Sequence, residues 1–107
     1  MKKQITTLNE AADEVRRLCI DKGFPQTPKD INFLLHRIRI ELGEAFNELE
    51  KSLSLRDRDK YINTLKEELT DVFIQTIQAL GALGADIDEE FRAKMDKNWK
   101  RNWKKHE

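Results

Sequence analysis

Cysteine is almost missing from this chain. Cys19 is the only one, so no disulfide can form within the chain, and no thiol cluster can hold a soft metal. No secretory leader is visible, so a reducing, cytoplasmic setting is expected. Proline and glycine are scarce, with two and four among 107 residues. That leaves few of the tight turns that a β-sandwich requires, and it suits long helices. No apolar run approaches the length of a membrane span. Charge of either sign is not in excess: 20 lysines and arginines balance 20 aspartates and glutamates. Nothing global therefore draws the chain to nucleic acid. There is no glycine-rich phosphate loop, which excludes a P-loop enzyme. Histidine is limited to His36 and His106.

What remains is a strongly charged chain with helical periodicity, of a size for one domain over residues 1–107. Thr7-Leu8-Asn9-Glu10 has the pattern of a capping box, opening a first helix that runs to about Lys22 and stops at Gly23. Cys19 falls on its apolar face and reads as a small buried residue. Phe24 reads as a core plug rather than a base-stacking residue. Thr27-Pro28 begins a second helix, ending near Leu53. Its apolar residues Ile31, Leu35, Ile38, Leu42, Ala45 and Leu49 alternate in four- and three-residue steps, which predicts a packed seam. After a polar stretch, a third helix is predicted from about Lys60 to Leu83, with its seam on Ile62, Leu65, Leu69, Val72, Thr76, Ala79 and Leu83. From Leu69 onward this helix is apolar on most sides and needs more cover than three other helices supply. A homo-oligomer is therefore expected. Asp86 caps a fourth helix, predicted to run from Ile87 into Trp103, with Phe91, Met95 and Trp99 on its apolar face. Trp99 and Trp103 read as packing or interface residues. The fold expected is all-α, with a central antiparallel hairpin of the second and third helices.

The chemistry lies in two short acidic motifs, Glu41-Leu42-Gly43-Glu44 and Glu68-Leu69-Thr70-Asp71. Carboxylates three residues apart leave a helix on the same face. Glu41, Glu44 and Glu48 share one edge of the second seam, and Glu68, Asp71 and Gln75 share one edge of the third. If the hairpin brings the edges together, four carboxylates crowd one volume, which is costly unless a cation sits among them. An all-oxygen donor set selects a hard divalent ion, Mg2+ or as a substitute Mn2+. A di-iron bundle would require Glu-x-x-His motifs, and neither motif has the histidine. Magnesium held by carboxylates usually works on phosphates. Lys94, Lys97, Lys100 and Arg101 on the last helix could help hold such groups.

Together, Glu41-x-x-Glu44, Glu68-x-x-Asp71 and Lys94-x-x-x-Asn98 resemble the all-α nucleoside triphosphate pyrophosphatases, the MazG-like superfamily. Leu42-Gly43-Glu44 and Glu68-Leu69-Thr70-Asp71-Val72 match the family's wording, and the likeness spans about Phe24 to Arg101. It implies a four-helix protomer that assembles as a homodimer or homotetramer. It also implies hydrolysis of a nucleoside triphosphate between the α- and β-phosphates, as in nucleotide-pool control or house-cleaning. Carried over by position, Glu41, Glu44, Glu68 and Asp71 would be the metal ligands. Lys94 and Asn98 would touch phosphate or sugar, and Arg101 would neutralise charge. Glu44 or Glu48 would be the general base. His36 reads as a surface residue, with a base contact across a subunit boundary as the sharper alternative.

Two other readings use the same residues. In one, the seams serve only oligomerisation and the chain is a non-catalytic helical interaction module. In the other, the basic last helix binds nucleic acid, which the neutral overall charge disfavours.

Overall fold

A computed structural model describes residues 4–54 and 58–102. Every regular element among them is helical. In order these are α1 (Leu8–Lys22), a 3-10 turn (Pro28–Asp30), α2 (Ile31–Ser54), α3 (Arg58–Ala82) and α4 (Ile87–Lys100).

The breaks fall where local chemistry puts them. The Thr7 hydroxyl accepts the Glu10 amide at 3.1 Å, capping α1. Glu10 does not reach back to Thr7. Its carboxylate takes the amide and hydroxyl of Thr6 instead, at 3.2 and 2.7 Å. Gly23 closes α1 with φ of 69°, in the left-handed region that glycine enters without steric cost. In the connection that follows, the Asp30 carboxylate accepts from both the amide and the hydroxyl of Thr27. These bonds, the hydroxyl first, hold the Asp30 pKa below its ordinary value. Thr27 thus begins a 3-10 turn that leads into α2. The fourth helix ends at Lys100, short of the predicted end: Arg101 caps it in an extended conformation, and Trp103 lies outside the described residues.

α1 and α4 cap each other. The side-chain oxygen of Asn9 accepts the amides of Ile87 and Asp88 at 3.0 and 3.3 Å, while Asp88 accepts the amide of Leu8 at 3.0 Å. Asn9 also donates to Asp86, which in turn caps α4 by accepting from the Glu89 amide. Helix-start amides that would otherwise lack partners are satisfied across the junction.

α2 and α3 form the antiparallel hairpin. Leu34, early in α2, packs on Ala79 and Ala82, late in α3, with Ile31 and Ile38 against the same cluster. The face that meets α3 matches the predicted seam only in part: Ile31, Ile38 and Ala45 turn inward as expected, as do Val72 and Ala79 on α3. Leu35, Leu42 and Leu49 are 56, 41 and 39% exposed, whereas Leu34 and Ala45 are buried and Glu41 and Glu48 half-buried. On α3, Ile62, Leu69, Thr76 and Leu83 are likewise exposed, and Glu68, Val72, Gln75, Ala79 and Ala82 turn inward. Each helix carries two apolar stripes, and the hairpin covers one of each pair. The buried apolar residues are few and mostly small: Cys19, Leu34, Ala45, Ile77, Ala79, Ala82 and Ile87. Phe24 is half exposed and plugs no core. On α4, Ile87 is buried, while Phe91 and Trp99 stand in solvent.

Candidate metal centre

The rotation of the hairpin places acids inside it. Glu41 and Glu44 lie one turn apart on α2, and Glu68 approaches from α3. One carboxylate oxygen from each of the three lies within 4.8 Å of the other two. Opposite ligands of one magnesium ion are separated by about 4.2 Å, twice a bond of about 2.1 Å. The donors are all hard oxygens. Among the described residues, no lysine or arginine forms an ion pair with Glu41, Glu44 or Glu68.

Glu68 carries the strain of this arrangement. Its Oε2 is buried without a hydrogen-bond partner. Burial pushes its pKa up, and the neighbouring carboxylates of Glu44, Glu41 and Asp71 push it further in the same direction. Like charges gathered around an orphaned acceptor are what a cation would relieve, so these residues fit a divalent ion.

The other residues singled out from the sequence are distributed unevenly. Asp71 is exposed, close enough to Glu68 to raise its pKa, but outside the tight group of three oxygens. Glu48 is half-buried, one turn beyond Glu44, and pairs with Lys51 at 3.4 Å. His36 is exposed, with Nδ1 at 3.5 Å from Arg39. Lys94 and Asn98 stand on α4, which packs on α1 and α3, and Arg101 caps its C-terminal end.

One neighbour was given no role by the sequence. Gln75 follows Asp71 by four residues on the same edge of α3, and its Oε1 is also buried without a partner. The spacing placed it beside the acids; its unmet acceptor emerges only from the packing. The thiol of Cys19 is buried as expected, and burial raises its pKa, which keeps it protonated and inert.

Set against family models, curated proteins and solved structures, the chain finds no match. The resemblance to the all-α pyrophosphatases therefore rests on the sequence motifs alone.

Proposed function

We propose that this chain is a magnesium-dependent nucleoside triphosphate pyrophosphohydrolase of the MazG-like kind, working as a homo-oligomer. The observation that carries the proposal is the meeting of Glu41, Glu44 and Glu68 with no lysine or arginine of the described residues paired to them, and with one oxygen of Glu68 buried and unbonded. Glu41, Glu44, Glu68 and Asp71 would hold the ion. Magnesium bound there would supply neutralisation of phosphate charge and a lowered pKa for water. Glu44 or Glu48 accepts the proton of the attacking water, whose oxygen bonds to the α-phosphorus as pyrophosphate leaves. Lys94 and Asn98 hold phosphate or sugar, and Arg101 offsets negative charge.

Assembly has its own support. The protomer exposes 8762 Å2, against about 6,200 Å2 for a compact monomer of 12.6 kDa. Covering the excess of about 2,500 Å2 on each of two protomers would bury about 5,000 Å2 in total, at the upper end of obligate homodimer interfaces.

The test is a panel of nucleoside and deoxynucleoside triphosphates with magnesium, read by product analysis. Monophosphate plus pyrophosphate is expected. Diphosphate plus orthophosphate, or no turnover, overturns the proposal. Glu41→Gln should cost at least about a hundredfold in kcat/KM, with the helical circular dichroism unchanged. The exposed apolar stripes equally favour a second reading, a helical module that only oligomerises. That reading predicts no change in melting temperature on adding magnesium, whereas the enzyme should be stabilised by it.

A further inference from the structure

A narrow slot of about 220 Å3 opens beside the acidic residues, between α1, the turn after it, and the hairpin. Its lining is mostly apolar. Two charged side chains belong to it, Arg37 from α2 and Asp71 from α3. Arg37 is exposed, and so open to a ligand. Glu41 follows it by four residues, the spacing at which helical side chains are neighbours. Arg37 nevertheless forms no ion pair among the described residues, with Glu41, Asp71 or any other acid.

The charge around the slot indicates what such a cation can hold. One divalent ion balances only half of the four carboxylates proposed to bind it. A triphosphate brought to that ion adds negative charge where the balance is already negative. Further positive charge has to stand close by, and Arg37 shares a cavity with Asp71, one of the proposed ligands. Its planar guanidinium presents paired N–H donors that match the oxygens of a phosphate.

Other cations beside cavities are less free. Arg16 lines the larger cavity between α1 and α4, about 560 Å3, but pairs with Asp13 at 3.3 Å. Lys66 shares a shallow recess with Asp71, but Glu67 lines that recess too and offsets its charge.

We infer that Arg37 is a phosphate-binding residue, its guanidinium donating to a phosphate oxygen of the triphosphate beside the ion. The inference rests on the pyrophosphohydrolase reading and adds a contact from α2 to those expected from α4. Its test does not need turnover. Inorganic pyrophosphate is titrated calorimetrically into the protein with magnesium present, at low ionic strength. Arg37→Gln should bind it at least about tenfold more weakly than the parent. Arg37→Lys keeps the charge without the fork and should fall between the two. Arg39→Gln removes an equal charge two residues away, outside the slot and against His36, and should bind as the parent does. Arg37→Gln should also keep the parent's helical circular dichroism and its thermal stabilisation by magnesium, because the carboxylates are intact. Where the triphosphate panel shows turnover, the same variant should lose at least about tenfold in kcat/KM. The inference is overturned if the parent binds no pyrophosphate, or if Arg37→Gln binds it as tightly as the parent. It is overturned too if Arg39→Gln weakens binding equally, or if Arg37→Gln loses the response to magnesium. Protein that binds pyrophosphate through Arg37 but hydrolyses nothing keeps the phosphate contact and loses the reaction. Protein whose turnover survives Arg37→Gln unchanged keeps the reaction and loses the contact.

Discussion

Glu68 and Asp86 are carboxylates displaced in opposite directions, and the causes differ. Glu68 is pushed up, first by burial and then by Glu44, Glu41 and Asp71. In the metal-free protein, stability therefore falls as pH rises from the ordinary carboxylate value through the raised one, because the folded state holds the proton more tightly. Glu68→Gln removes that slope. It should melt above the parent without magnesium and lose most of the stabilisation that magnesium confers, both measurable by thermal scans with and without the ion. Asp86 is pulled down, first by the Asn9 side chain and then by the Glu89 amide. Its contribution is complete above the ordinary aspartate range and is lost as pH falls through the lowered value. Asp86→Asn keeps an acceptor at the cap but cannot titrate. Its acid-unfolding curve should be flatter than the parent's at the low-pH end.

At the scale of elements, what is local in the chain could be read in advance. Thr7 and Asp86 at helix starts, and Gly23 at a helix end, act through their immediate neighbours, and the structure uses each as its type suggests. Thr7→Ala should cost about 1 kcal/mol, read by chemical denaturation. Leu34→Ala, at the centre of the hairpin contact, should cost about 2–5 kcal/mol. The contrast is instructive, because Leu34 did not figure in the predicted seam. Leu35, Leu42 and Leu49 form the cleaner repeat, and periodicity cannot say which of two apolar stripes meets the neighbouring helix. The meeting of Glu41 and Glu44 with Glu68 was legible for a different reason. A short connection obliges α2 and α3 to run antiparallel, and three-residue spacing obliges each acidic pair to share a face. The reciprocal capping by Asn9 and Asp88 joins residues nearly eighty positions apart. No local pattern announces it, and the unmet acceptor of Gln75 likewise depends on how three helices and a turn close around it.

At the scale of the molecule, the protomer is too open for its length. Its radius of gyration is 16.5 Å, against roughly 13 Å for a compact chain of this size. Among the described residues the only large side chains in the core are Leu34, Ile77 and Ile87. The stripe through Leu35, Leu42 and Leu49 on α2, and that through Leu69 and Leu83 on α3, are the surfaces a second copy would cover. If folding is coupled to assembly, the melting temperature should climb with protein concentration, since association stabilises only the folded state. Sedimentation at micromolar concentration should give a dimer or larger species. Paired substitutions Leu35→Lys and Leu49→Lys place like charges across such an interface without touching the carboxylates. They should shift sedimentation toward the monomer, lower the melting temperature and remove its concentration dependence. Because Glu41, Glu44 and Glu68 all belong to one chain, the monomeric variant should still gain stability from magnesium wherever it remains folded. Loss of that response in a folded monomer would mean that a second copy completes the ion's surroundings, and that the hairpin alone does not hold it.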